Sequence, residues 1–219
     1  MKLSFPTVCL ASLFFVACQT PISTSGDSSS SKASANNMTF FLTSVGPGDG
    51  ANLGGLAGAD AHCSSLAAAA GTSGDWRAYL STNGVGGVNA KDRIGDGPWT
   101  NANGVIVATS VSNLLDASAN ALSKTGSVDE NGVVINGRGD KPNRHDILTG
   151  TDGDGNATEN TCSNWTHNGE GSATVGHHDR TGGGANPTHW SSAHGSRGCS
   201  QSNLQSSGGD GLFYCFAVK

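Results

Sequence analysis

Basic residues are scarce in this sequence, and they never cluster. Twelve Lys and Arg stand against 17 Asp and Glu, a formal net charge of −5. Nucleic acid is held by grouped cations that displace its counterions, so it is excluded as a partner. Charged residues are only 13% and aromatic ones 6%, which leaves a polar, weakly charged surface and few large side chains for a core. No apolar run reaches the roughly 20 residues of a membrane-spanning helix. No two cysteines share the C-x2-C spacing of a zinc–thiolate site. No G-x-S-x-G or H-E-x-x-H occurs, so no nucleophile elbow or zincin helix is legible. Residues 52–71, NLGGLAGADAHCSSLAAAAG, offer G-G-x-x-G before a helix. They lack both the Lys-Ser/Thr of a phosphate loop and the first spacer of a dinucleotide fingerprint.

Glycine, in contrast, is abundant, 33 of 219 residues, roughly twice ordinary usage. It has no collagen-like period and implies a loop-rich chain with many left-handed turns. At the N-terminus Lys2 precedes the largely apolar residues 3–17, which reads as a signal peptide over residues 1–17. Its end, LFFVACQT, resembles a bacterial lipobox, with Val16 and Ala17 before Cys18 and Phe15 where that pattern usually has Leu. The resemblance implies cleavage before Cys18 and acylation of Cys18. Gln19, in place of Asp, implies sorting to the outer membrane. The expectation is an exported lipoprotein of the bacterial cell envelope or cell surface, held to the membrane only through its lipid. Residues 18–37 then form a Ser-rich tether with seven serines and nothing to bury. The folded domain is expected over residues 38–219.

Four cysteines remain in that domain: Cys63, Cys162, Cys199 and Cys215. An even number in an exported chain reads as a disulfide framework, with three pairings open. Strands are expected at 38–45, 75–81, 103–108, 131–135, 145–149 and 172–176, and at the end of the chain. The pairs Asn103-Gly104 and Asn131-Gly132 signal turns. A helix is expected over 56–70, where Leu56, Ala59, Cys63, Leu66, Ala67 and Ala70 make one apolar stripe closed by Gly71. A short helix is expected near 112–122, and mostly loop from 137 to 211.

In order, NLGGLAGAD with Cys63 three residues after Asp60, WRAYLS (76–81), RIGDGPW (93–99), DILTGT (146–151), TCSNWT (161–166) and LFYCF (212–216) resemble bacterial extracellular domains of the endostatin-like, C-type-lectin-like superfold. The likeness implies an α+β domain: a small, mainly antiparallel sheet, one or two helices and long loops, stapled by disulfides. It also implies the nested pairing Cys63–Cys215 and Cys162–Cys199. A fold does not fix a function.

Four groups of residues are candidates for a site. Asp152, Asp154 and Asn156 alternate as in a calcium loop, although Ala157 and Ser163 break the EF-hand pattern; the alternative is an ion-free Asp/Gly turn. His177, His178, Asp179, His189 and His194 suit zinc or copper; the alternative is loop histidines bonded to backbone. Asn143, in Lys141-Pro142-Asn143, resembles the Pro-Asn element of sugar-binding C-type lectins, with Lys where the calcium-binding acid stands. Trp99, Trp165 and Trp190 offer sugar-stacking faces if exposed. The expected function is a surface-anchored, non-catalytic binding module for a carbohydrate or an extracellular protein. The alternatives are a metal-dependent hydrolase using the loop histidines and a structural envelope lipoprotein.

Overall fold

The structure, a computed structural model, describes residues 1–2 and 37–218. The chain divides into two units, Met1–Ser30 and Ser31–Lys219, and every element described belongs to the second. The signal peptide, the acylated Cys18 and the tether fall on residues 3–36, outside the described residues. No helix among the described residues is long and apolar enough to cross a membrane.

The elements in chain order are β1 (Phe40–Leu42), α1 (Gly55–Ala69), β2 (Asp75–Ala78), β3 (Trp99–Thr100), β4 (Ile106–Ala108), α2 (Val111–Leu115), β5 (Asp146–Leu148), β6 (Thr174–His177), β7 (His194–Gly195), α3 (Gln201–Ser207) and β8 (Gly209–Val218). The fold is α+β with a mainly antiparallel sheet. β8 pairs antiparallel with β1 and β2 and parallel with β5, and β6 and β7 extend the sheet beyond β5. β3 and β4 form a separate two-stranded ribbon.

β8 is buried on both faces. Side chains alternate across a strand, so Phe213, Cys215 and Ala217 join one core with α1, while Leu212, Tyr214 and Phe216 join another with Tyr79, Trp99 and Trp190. α1 turns the apolar stripe of its sequence inward, burying Ala59, Cys63 and Ala67. The glycines before it have steric work. Gly54 and Gly55 have φ of 74° and 69°, and a Cβ on Gly58 would lie 2.0 Å from the Leu53 carbonyl oxygen. Asp60 then links three segments. Its Oδ1 accepts from Ala78 N at 2.9 Å, and its Oδ2 meets Arg93 Nη2 at 2.7 Å. The glycine-rich opening is thus a packing device rather than a phosphate cradle.

Two disulfides join Cys63 to Cys215 and Cys162 to Cys199, each with Cα atoms 5.7 Å apart. The second holds an uncommon turn. Cys162, Ser163, Asn164 and Trp165 all have positive φ, from 47° to 68°. Left-handed backbone costs roughly 1–2 kcal/mol at each such residue, so this turn depends on its surroundings. The Asn164 side chain accepts from Asn83 N and donates to Asn83 O, and Trp165 Nε1 donates to Ser81 O at 2.7 Å.

Several elements differ from the sequence expectation. Residues 131–135 form no strand, only the isolated bridge Val128–Val134, because Asp129 Oδ1 accepts the Asn131 and Val133 amides that a ladder would need. The helix expected over 112–122 stops at Leu115, where Asp116 turns extended. α3 appears inside the expected loop, capped by Ser200 and ended by Gly208 at φ 108°.

The two bridges close sequence separations of 152 and 37 residues. Loop-closure entropy alone makes loss of Cys63–Cys215 costlier by about 1 kcal/mol. Thermal melts of the paired Cys→Ser variants are expected to place the Cys63/Cys215 variant lower, and equal midpoints would contradict the ranking.

Candidate metal centre

Sheet register gathers the histidines. Asp146 opens β5 directly opposite His177 at the end of β6. His194 opens β7 opposite Val175. His177 lies two residues beyond Val175, so it shares a face with His194 and is its diagonal neighbour. His145 precedes β5 and stacks on His177, with ring centroids 4.2 Å apart and planes 13° apart.

Three residues, His145, Asp146 and His177, bring one ligand atom each within 4.8 Å of one another. Nε2 of His145 and Nε2 of His177 each lie 3.2 Å from Asp146 Oδ1, close to the roughly 3.3 Å between ligands of a tetrahedral zinc ion. His194 stands at the edge of this group, its Nε2 3.5 Å from Asp146 Oδ1 and 3.0 Å from His177 Nε2.

The far side of each ring faces an oxygen. His177 Nδ1 is 2.7 Å from Pro187 O, and His194 Nδ1 is 3.0 Å from Gly195 O. Each carbonyl can only accept, so Nδ1 carries a proton and Nε2 is the atom turned inward, the orientation in which outer oxygens aim metal-binding imidazoles. Behind His145, Asp179 Oδ1 lies 3.4 Å from Nδ1.

The centre is dry. Asp146 is 2% exposed, His177 0% and His145 5%, and only the side chain of His194, at 24%, reaches solvent. None of the His–Asp146 contacts is aligned as a hydrogen bond, so both Asp146 carboxylate oxygens are buried without a donor. A buried carboxylate without donors is costly, and facing lone pairs repel; a cation between them answers both. Burial pushes the Asp146 carboxyl up, but contacts with His177 and His194 outweigh it and hold it below its usual range. Asp146 in turn holds His194 above its usual value, against the effect of burial.

A glycine strap crosses the rings. A Cβ on Gly182, whose φ is 148°, would lie 2.3 Å from His177 Cε1, while one on Gly183 meets open space. Gly182→Ala is therefore expected to lose about 1–3 kcal/mol of stability through overpacking and Gly183→Ala to lose little. Melts of the two variants check this, and similar midpoints would contradict it.

Of the residues singled out from sequence for zinc, the structure brings together His177 and His194. His178 follows His177 in the chain and faces away; its Nε2 is 3.2 Å from Asn136 O, and burial holds it below its usual value. His189 Nδ1 instead accepts from the Ser191 and Ser192 amides. Asp179 stands one layer out. Sequence reasoning missed His145 and Asp146, which lie upstream at the front of DILTGT; their signal was a His-Asp pair entering an expected strand.

The other candidates lie apart from this cluster. Asp152, Asp154 and Asn156 form an Asx turn in which Asp152 Oδ1 accepts from the Asp154 and Asn156 amides. The Lys91 ammonium donates to Asp154 O at 3.0 Å and Asn156 Oδ1 at 2.8 Å, so a side-chain cation already stands where calcium was expected. Trp99, Trp165 and Trp190 are each 0% exposed and present no stacking face. Asn143 Oδ1 accepts from His145 N, and Asn143 lines a cavity of about 330 Å³ with Arg144 and Asp210, which an ion pair of 2.9 Å joins. No protein-family model and no curated protein matches this chain.

Calcium is expected to leave the melting temperature unchanged, because Lys91 already satisfies the 152–156 loop. A saturable calcium shift lost in Asp152→Asn would restore the calcium site.

Proposed function

We propose that the domain is an exported, non-catalytic binding module whose ligand is a divalent transition metal of the zinc class, held by His145, Asp146 and His177, with His194 beside them. The observation that carries this is the convergence of two buried ring nitrogens on one buried carboxylate. Imidazole nitrogens with a single carboxylate suit zinc; calcium takes six to eight oxygens. With the tryptophans buried, a glycan ligand loses its stacking face, and the metal takes its place.

Two disulfides support an oxidising compartment, in keeping with the lipobox-like Cys18 and attachment at the bacterial cell surface. The antiparallel terminal strands and nested bridges support a fold of the C-type-lectin-like, endostatin-like class. The ion also clamps the domain. It ties His177, within the loop closed by Cys162–Cys199, to His145 and Asp146 beside β8.

Zinc added to chelator-treated protein is expected to bind one ion per chain and to raise thermal stability. The gain is about 2.7 kcal/mol at a hundredfold excess over Kd. His145→Ala and His177→Ala should each abolish the shift, and His178→Ala should keep it. Zinc-free protein by elemental analysis, with no thermal shift on zinc addition, would overturn the reading.

A further inference from the structure

Asp179 stands directly behind one ligand of the proposed centre. Its carboxylate is 3.4 Å from His145 Nδ1, on the side of the ring away from Asp146. Backbone fixes it there. Arg138 N donates to Oδ2 at 2.6 Å and Thr181 N donates to Oδ1 at 3.1 Å. Gly137 packs so closely that a Cβ on it would lie 2.5 Å from Oδ2. The Asp179 side chain is only 3% exposed.

The three outer oxygens differ in charge. Pro187 O and Gly195 O are neutral carbonyls, whereas Asp179 is a carboxylate. Among the described residues, Asp146 and Asp179 are the only carboxylates in ionic contact with His145, His177 or His194. Three neutral imidazoles add no charge, so the buried assembly carries two fixed negative charges. A divalent ion brings that sum to zero, and a monovalent ion leaves one negative charge uncompensated. Buried net charge is strongly disfavoured, so the sum discriminates between cations that the same ligand atoms would otherwise accept.

We infer, resting on the metal-binding reading above, that Asp179 is a specificity-determining residue matching the centre to a divalent rather than a monovalent cation. It acts through His145 as a positioning residue and is not itself a ligand. Removing its charge while keeping its shape leaves one negative charge in the assembly, which a monovalent ion balances and a divalent ion overshoots.

The test compares Zn²⁺ with Ag⁺, a monovalent ion that also takes imidazole nitrogen, on the purified protein with free thiols alkylated. Dissociation constants for both ions are measured by competition in wild type and Asp179→Asn, and near-UV circular dichroism checks the fold. Asp179→Asn is expected to weaken zinc about 10–100-fold, the range for loss of an outer-shell partner, and to leave silver nearly unchanged. The zinc-to-silver preference then falls at least about tenfold. Equal weakening of both ions would show a purely structural role and overturn the inference, as would unchanged zinc binding. If Asp179→Asn does not fold, Asp179→Ser, also neutral, reads the same ratio. Wild-type protein that takes up no zinc overturns the metal reading and this inference together. Wild-type zinc binding with an unchanged ratio in the neutral variant overturns the inference alone.

Discussion

β8 must be apolar on both faces, because its neighbours enclose it completely. Three strands bond to its edges, α1 lies over one face, and the second core, built around Trp99 and Trp190, covers the other. Cys215, on the α1 side, is bonded to Cys63 in that helix. A sequence with so few aromatic rings meets this demand by placing them together. The four Phe, four Trp and two Tyr of residues 38–219 are all at most 1% exposed. Aromatic side chains bury 150–250 Å² each, so the core absorbs the supply and the surface receives none. The polar, ring-free exterior follows from the same shortage.

The histidine centre depends on that arrangement at one remove. β8 fixes β5 by parallel pairing at Asp146 and Leu148, β5 fixes β6, and β6 fixes β7. Each pairing transmits register, and a slip of one residue anywhere would turn a ligand to the opposite face. The outer oxygens come from elsewhere: Pro187 from the loop that crosses the rings, Asp179 from the turn after β6. The sheet thus sets where the side chains stand, and the loops, together with the Gly195 carbonyl of β7, set which nitrogen each ring presents. Such a division suits a site that needs accurate placement from a chain rich in glycine.

Elements with local apolar patterns were legible in the sequence: β1, α1, β2, β5, β6 and β8 lie within or close to the expected segments, while the α+β class with its antiparallel sheet came from the family resemblance. α3 was not legible, because Leu204 is its only buried apolar residue and gives no period. The left-handed turn at Cys162–Trp165 was not legible either. Nothing local favours four such residues in succession; only a distant cysteine, Asn83 and Ser81 make them tenable. At the site, His177 and His194 stood out by clustering. His145 and Asp146 escaped notice because sheet register, not sequence distance, brings them in.

Chain order gives β8 a further consequence. Every strand it joins, and the cysteine it binds, precedes it, so a chain delivered N-terminus first holds β1, α1, β2 and β5 with no central partner until residues 209–218 arrive. Contacts separated by so much sequence form late and slowly. Until then the edges of β1 and β2 have no mate in this sheet, and the native partner of Cys63 has not arrived. Closure of the domain therefore waits on the ten residues of β8.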